Sequence, residues 1–220
     1  VGDGDKAAGI ESVMTWMAII GTVLLLITFL TTKERVIPSP EQESSLKDDL
    51  GDLFKNRPWI IMLTLTILVF VTLAMKGGSY VYYFNNYVDE AALQGFLQPI
   101  LDSLSAMGMN FFGSDIASAG FGLFNAGGII CSMIGIAVSS KLANKFGKRD
   151  VFGTTLFIAT LFIVSFIFYK PENVRMMFMA QALHMFFYGV TTPILWAMIA
   201  DVADYSEWVN NRRATAIIFS

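Results

Sequence analysis

The sequence predicts an all-α polytopic membrane protein, and three observations carry that expectation. Hydrophobic residues make up 55% of the chain, with 19 Phe, and mean hydropathy is +0.58. A water-soluble domain of this length has too little interior to hide so much apolar surface. Five stretches, at about 13–30, 59–87, 116–138, 151–169 and 176–200, each supply roughly 18 or more mostly apolar residues, the minimum for a helical crossing. None alternates with the period of two that a membrane β-barrel requires, so a helical bundle is the structure that satisfies every backbone group inside lipid.

The first span is followed by a long connection. After Pro38-Ser39-Pro40, Ser44 or Ser45 is placed to cap a short helix. Leu46, Leu50, Leu53 and Phe54 gather on one face of it, and Lys47, Asp48, Asp49, Asp52 and Lys55 fill the other. That pattern predicts an amphipathic helix lying on the membrane surface. Pro58 then suits the first turn of span two. Lys76-Gly77-Gly78 is expected to interrupt this span, because Gly pairs in membrane helices permit kinks or unwinding. Tyr80, Tyr82, Tyr83, Asn85, Asn86 and Tyr87 crowd its last third. Rings beside amides are the groups that hold sugars, stacking on C–H faces and bonding hydroxyls; the competing reading is an interfacial tyrosine belt with Lys76 snorkelling to the surface.

Between spans two and three, 89–115 holds no Lys or Arg and sets Phe96, Leu97, Ile100, Leu101 and Leu104 at helical spacing. Two readings stay open: an outer loop helix, and a lid folded back on the bundle. Span three carries Gly128, Ser132, Gly135 and Ser139 at i, i+4, i+7 and i+11, a small-residue stripe that lets helix backbones approach closely. Asn125 lies near mid-depth and needs a hydrogen-bond partner there. Span five places Gln181, His184, Tyr188 and Thr192 at i, i+3, i+7 and i+11, one polar stripe that should face protein or a water-filled path. Pro193 adds a kink to the same span. His184 is the chain's single histidine, suited either to neutral hydrogen bonding or to proton relay.

Charge placement sets the topology. Lys33, Arg35, Lys47, Lys55 and Arg57 follow span one; Lys141, Lys145, Lys148 and Arg149 follow span three; Arg212 and Arg213 follow span five. Lys6, Lys170 and Arg175 lie on the opposite side, and the bias puts the three basic loops in the cytoplasm. On that side Asp201, Asp204 and Glu207 close the fifth apolar stretch. At a helix C-terminus the backbone's partial negative charge repels carboxylates, and cations just before a next helix, at about Ala214, meet the wrong pole too. Pairing with each other or with neighbouring helices, as in a gate or latch, relieves both.

Enzyme chemistry finds no footing. HExxH, a Gly-rich phosphate loop and a serine nucleophile elbow are all missing, and Cys131 is the single cysteine. One His and one Cys cannot populate the usual metal sites. No metal or organic cofactor and no nucleic-acid partner is expected.

The run Ala200-Asp201-Val202-Ala203-Asp204-Tyr205-Ser206-Glu207-Trp208, followed by Arg213-Ala214 and Phe219-Ser220, closely resembles a family signature. It is that between the tenth and eleventh helices of the glycoside-pentoside-hexuronide:cation symporters, the melibiose-carrier family. Asn56-Arg57-Pro58-Trp59 and the Gly-then-Tyr82-Tyr83 passage agree, and the loop from Lys141 to Arg149 is similar to the basic loop recurring in the major facilitator fold. The resemblance implies a fragment of a major facilitator-type bundle, five transmembrane helices plus the start of a sixth. Residues 1–31 would be the last helix of an N-terminal half, 32–57 a cytoplasmic linker, and 58–220 a C-terminal half cut at the start of its fifth helix.

It further implies sugar or glycoside symport with Na+ or H+ by alternating access in a bacterial inner membrane. The coupling cation would be bound mainly by residues outside this chain, and the N-terminal half of the same protein would be its partner. Stripe geometry and analogy together put Tyr83, Asn125, His184, Tyr188 and Thr192 on the substrate-facing wall. Asp201, Asp204 and Arg213 match the family pattern and would form a cytoplasmic gate. Two other classes stay open at this point: a passive facilitator or channel-like permease, and a non-transporting sensor or assembly subunit.

Overall fold

The computed structural model describes residues 6–33, 51, 54–108 and 115–210. Six α-helices lie among them: α1 (Lys6–Thr31), α2 (Arg57–Asn86), α3 (Glu90–Ala106), α4 (Ile116–Phe146), α5 (Lys148–Val164, continued by a 3-10 turn Ser165–Phe168) and α6 (Val174–Asn210). All but α3 belong to helical stretches long and apolar enough to cross a membrane. The amphipathic-helix expectation at 44–55 falls mostly outside the described residues, as do Arg212, Arg213 and the apolar run from Ala214.

The chain divides into two units, Val1–Glu43 and Ser44–Ser220. In the first, α1 is a single rod of 26 residues. Thr15, Thr22, Thr28 and Thr31 each donate their hydroxyl to the carbonyl four residues back, so these four donors are met within the helix.

In the second unit α6 is the central post, with α4 and α5 packed along it. The seam between α4 and α6 is built from the predicted small-residue stripe. A Cβ on Gly135 would lie 2.1 Å from the Phe186 carbonyl oxygen, and one on Gly189 would lie 2.3 Å from that of Ser132. Gly128 faces the side chains of Gln181 and Met185, at 3.0 Å or more, whereas at Gly135 and Gly189 the neighbour is backbone. At Gly135 and Gly189 the approach is backbone to backbone, which these two positions permit only as glycine.

Helix starts follow local chemistry. Asn56 Oδ1 accepts the Trp59 N–H at 3.2 Å, and Pro58 occupies the first turn of α2 as expected. Asp89 Oδ1 accepts the Ala92 N–H at 2.7 Å to open α3. Gly147, at φ +89°, alone separates α4 from α5. The basic loop is therefore shorter than the hydropathy suggests: Lys141 and Lys145 extend α4, and Lys148 and Arg149 begin α5, since lysine and arginine are good helix formers wherever water meets their heads.

Two expectations are corrected. Lys76-Gly77-Gly78 does not interrupt α2, which runs unbroken through it; both glycines are exposed with open space about them, so no neighbour forces the backbone apart. α6 does not end near Ala200 but continues to Asn210. Asp201 and Asp204 thus sit inside a helix, more than a turn from its end, where the pole's influence has faded.

α3 docks on the bundle. Leu93 and Leu97 are buried, inside a cluster with Tyr80, Phe84, Phe124 and Val174. Phe96 meets Phe178 at 4.9 Å, and the Asp89 N–H reaches the Pro171 carbonyl at 3.1 Å. Leu97→Ala is expected to cost about 2–4 kcal/mol through the void it leaves, against under about 1 kcal/mol for half-exposed Ile100→Ala. Thermal midpoints of the two variants in detergent check this contrast.

Candidate functional site

The polar stripe of α6 turns towards α2 and α5. Gln181 and His184 are each 2% exposed, and Tyr188 is half-buried. Tyr80, on α2, donates its hydroxyl to Gln181 Oε1 at 3.2 Å. His184 Nδ1 lies 3.0 Å from the Ala159 carbonyl oxygen on α5. A carbonyl only accepts, so Nδ1 carries the proton and the Nε2 lone pair is free to accept. That lone pair receives the Lys76 ammonium at 2.8 Å.

Lys76 is therefore held inward. Its Nζ also lies 3.6 Å from Met185 Sδ, 5.9 Å from the Tyr80 ring centroid and 5.4 Å from that of Tyr188, both within cation–π range. The His184 and Tyr188 rings stack at 5.8 Å. Lys76 stands ten residues before the end of α2, about 15 Å along the axis. The snorkelling expectation is corrected: the histidine lone pair and two ring faces offer the cation a nearer refuge than the surface does. Of the tyrosine belt, Tyr82 and Tyr87 are exposed while Tyr80 points into the core.

A cavity of ≈ 500 Å³ opens beside this cluster, between α2, α5 and α6. Lys76, His184, Tyr188, Thr64, Thr72 and Thr160 contribute its polar lining, and the remainder is chiefly Ile, Leu and Val. The three threonine hydroxyls donate to the carbonyls of Ile60, Leu68 and Leu156 on their own helices, so their lone pairs are what they present to a guest.

Of the five residues expected on a substrate wall, His184 and Tyr188 line this cavity and the other three do not. Tyr83 packs against Tyr87 and Phe166, its hydroxyl buried without a partner. Asn125 satisfies its amide on the Phe121 carbonyl of its own helix at 3.0 Å, so it makes no demand on a neighbour. Thr192 bonds the Tyr188 carbonyl in the same manner. Lys76 was missed as a site residue, although a lone cation inside an apolar span is itself a signal.

At the basic-loop end of α6, Asp201 pairs with Lys148 Nζ at 2.7 Å, both side chains being about half exposed. Asp204 is exposed one turn further on. Arg213 and the Glu207 side chain lie outside the described residues, so the expected pairing of the acidic and basic groups falls outside them too; Asp201 instead meets Lys148 of the neighbouring helix α5.

A family model described as MFS/sugar transport protein matches residues 2–118 and 101–220. YagG of Escherichia coli (strain K12), whose name assigns it provisionally to glycoside/cation symport, is 28% identical over 221 residues, covering 100% of this chain and 42% of its own length. The inner membrane symporter YicJ of the same organism is 25% identical over 224 residues, covering 100% and 42%. The isoprimeverose transporter of Lactiplantibacillus pentosus is 25% identical over 224 residues, covering 100% and 40%. The chain thus spans about two fifths of the length of these relatives. No solved structure gives a significant match.

Proposed function

The chain belongs to the MFS/sugar transport protein family, and from that premise we propose that it is the C-terminal part of a secondary active transporter carrying a sugar or glycoside with Na+ or H+. It is a multi-pass protein of the bacterial inner membrane. The observation that carries the proposal is the polar cluster of Lys76, His184 and Tyr188 beside a cavity within otherwise apolar helices. Polar groups at that depth are costly unless they serve a path or a ligand. The symporter and transporter names of YicJ and the isoprimeverose transporter support the same reading.

In this reading residues 1–31 close an N-terminal half, 32–57 link the halves, and 58–220 belong to the C-terminal half. The two halves rock about a central site, and the coupling cation binds mainly outside this chain. His184 and Tyr188 touch the substrate directly; Tyr83, Asn125 and Thr192 complete the wall as the halves move. The test is uptake of labelled glycosides by the intact carrier in vesicles under an imposed Na+ or proton gradient. Accumulation against the glycoside gradient is expected; flux indifferent to both ion gradients would refute symport.

Asp201, Asp204 and Arg213 form the cytoplasmic gate in the same scheme, with Lys148 as a fourth member. Because the Lys148–Asp201 pair is half exposed, breaking it should cost under about 1 kcal/mol of stability. Its effect should appear in rate instead. Lys148→Glu and Asp201→Lys are each expected to slow uptake severalfold, and the double variant to recover most of it. Two single variants with wild-type rates would remove this pair from the gate.

A further inference from the structure

We propose that the pocket between the start of α2 and the last turns of α6 binds an anionic phosphate group, supplied by the headgroup of an acidic phospholipid or by free phosphate. It shares no lining residue with the cavity beside Lys76, and the proposal stands whether or not the carrier reading holds.

A cavity of ≈ 210 Å³ lies there, lined by Lys55, Asn56, Arg57 and Pro58 on one side and by Tyr205, Ser206 and Val209 of α6 on the other. Two of these side chains are cations, and none is a carboxylate. Lys55 and Arg57 are exposed and by themselves would make an ordinary solvated surface. Asn56 between them makes the difference. It is 7% exposed, and its Oδ1 accepts the Trp59 N–H at 3.2 Å as the cap of α2. That bond fixes which way round the amide sits, so Nδ2 is the donor end of the side chain. Nδ2 is buried and has no hydrogen-bond partner. Buried donors are ordinarily paired, and an anion drawn into the pocket supplies the acceptor this one lacks.

The backbone adds field rather than bonds. α2 opens at this point with the positive pole of a 30-residue helix. Pro58 has no N–H, however, and those of Trp59 and Ile60 are taken by Asn56 Oδ1 and the Asn56 carbonyl. The donors for an anion are therefore the Asn56 amide, the Lys55 ammonium and the Arg57 guanidinium, whose planar fork fits two phosphate oxygens at once. Three such groups match the several oxygens of a phosphate better than the two of a carboxylate.

Position favours lipid as the source. The pocket stands where the apolar part of α2 begins, at the basic-loop end of α6, and Tyr205 and Trp208 are exposed there with their rings 6.1 Å apart. Exposed Tyr and Trp beside Lys and Arg mark the level of lipid headgroups, and basic pockets between membrane helices hold acidic ones. Leu63, Ile67 and Phe70 are exposed at i+7, i+11 and i+14 from Asn56, an apolar stripe along which acyl chains can lie.

The test is binding by the purified, delipidated intact protein, read as thermal midpoint and as lipid retained in native mass spectra. The probes are dioctanoyl phosphatidylglycerol, dioctanoyl phosphatidylcholine and inorganic phosphate. Phosphatidylglycerol is expected to bind about tenfold or more tightly than phosphatidylcholine, equivalent to about 1.4 kcal/mol. Asn56→Asp keeps a cap oxygen on the Trp59 N–H and suits the helix pole, so the fold is retained; its negative charge in place of Nδ2 should abolish the preference. Arg57→Gln, which leaves the cap alone, should weaken it severalfold, and Lys141→Gln, outside the pocket, should leave it unchanged. Saturation by inorganic phosphate that Asn56→Asp abolishes, without preference between the lipids, would assign the site to free phosphate; lipid preference without a response to phosphate assigns it to the headgroup. A preference that survives both Asn56→Asp and Arg57→Gln, or that Lys141→Gln removes equally, is surface attraction alone and overturns the site, as does no response to any probe. No transport is measured, so failed glycoside uptake would count against the carrier reading and leave this proposal standing.

Discussion

Gly135→Ala should abolish accumulation of folded carrier or lower its thermal midpoint further than alanine at any other described glycine. The added Cβ would lie 2.1 Å from the Phe186 carbonyl oxygen and 3.0 Å from the Val190 nitrogen. Those are backbone atoms of α6, so no rotamer change relieves the overlap; α4 and α6 must separate. Ordinary overpacking costs about 1–3 kcal/mol, and a clash against backbone belongs at or above the upper end. Whole-domain stabilities are about 5–15 kcal/mol, so the loss is a large fraction of the total. Gly127→Ala is the control: nothing lies within 4 Å of its added Cβ, and helix propensity favours alanine. Size-exclusion profiles and thermal midpoints in detergent should separate the two variants. Equal behaviour would mean that α4 and α6 are farther apart than described.

The second large effect is expected at His184. His184→Phe keeps the ring volume but removes both hydrogen bonds, leaving the Lys76 ammonium without its nitrogen acceptor and the Ala159 carbonyl with only its partner in the α5 ladder. Unsatisfied buried groups cost about 1–3 kcal/mol each, more when charged. His184→Gln can donate to Ala159 through its amide nitrogen and accept from Lys76 through its oxygen. The phenylalanine variant should therefore lose several degrees of thermal midpoint and most of its uptake, with the glutamine variant recovering a good part of both. If the two variants fall together, the fixed tautomer and its bond to Lys76 are not what the site depends on.

Much of this architecture was legible in the sequence because lipid imposes coarse rules. A span must be long, apolar and helical, so all five crossings were found, and the Gly128-Ser132-Gly135-Ser139 stripe fell where α4 meets α6. Boundaries were less legible. Hydropathy reports where lipid ends rather than where hydrogen bonding ends, so α4 and α6 continue beyond their apolar stretches to Phe146 and Asn210. Single polar residues were the hardest to read, since pattern does not reveal whether a group is satisfied at home. Asn125 turns back on its own helix at Phe121, whereas Lys76, for which snorkelling to the surface was one of two open readings, finds its partner 108 positions away. The polar face of α6 was legible from period alone; what faces it depends on how three helices converge.

The central claim is that the cavity beside Lys76, His184 and Tyr188 is reached by water in the working carrier. It is tested most directly by thiol labelling in the intact protein after Cys131→Ser, with Thr72→Cys on the cavity wall and Leu161→Cys on an exposed apolar flank of α5. A membrane-impermeant, hydrophilic reagent should modify Thr72→Cys, transported glycoside should slow that reaction, and Leu161→Cys should stay inert. A Thr72→Cys carrier that still transports yet resists the reagent with and without glycoside would contradict the claim.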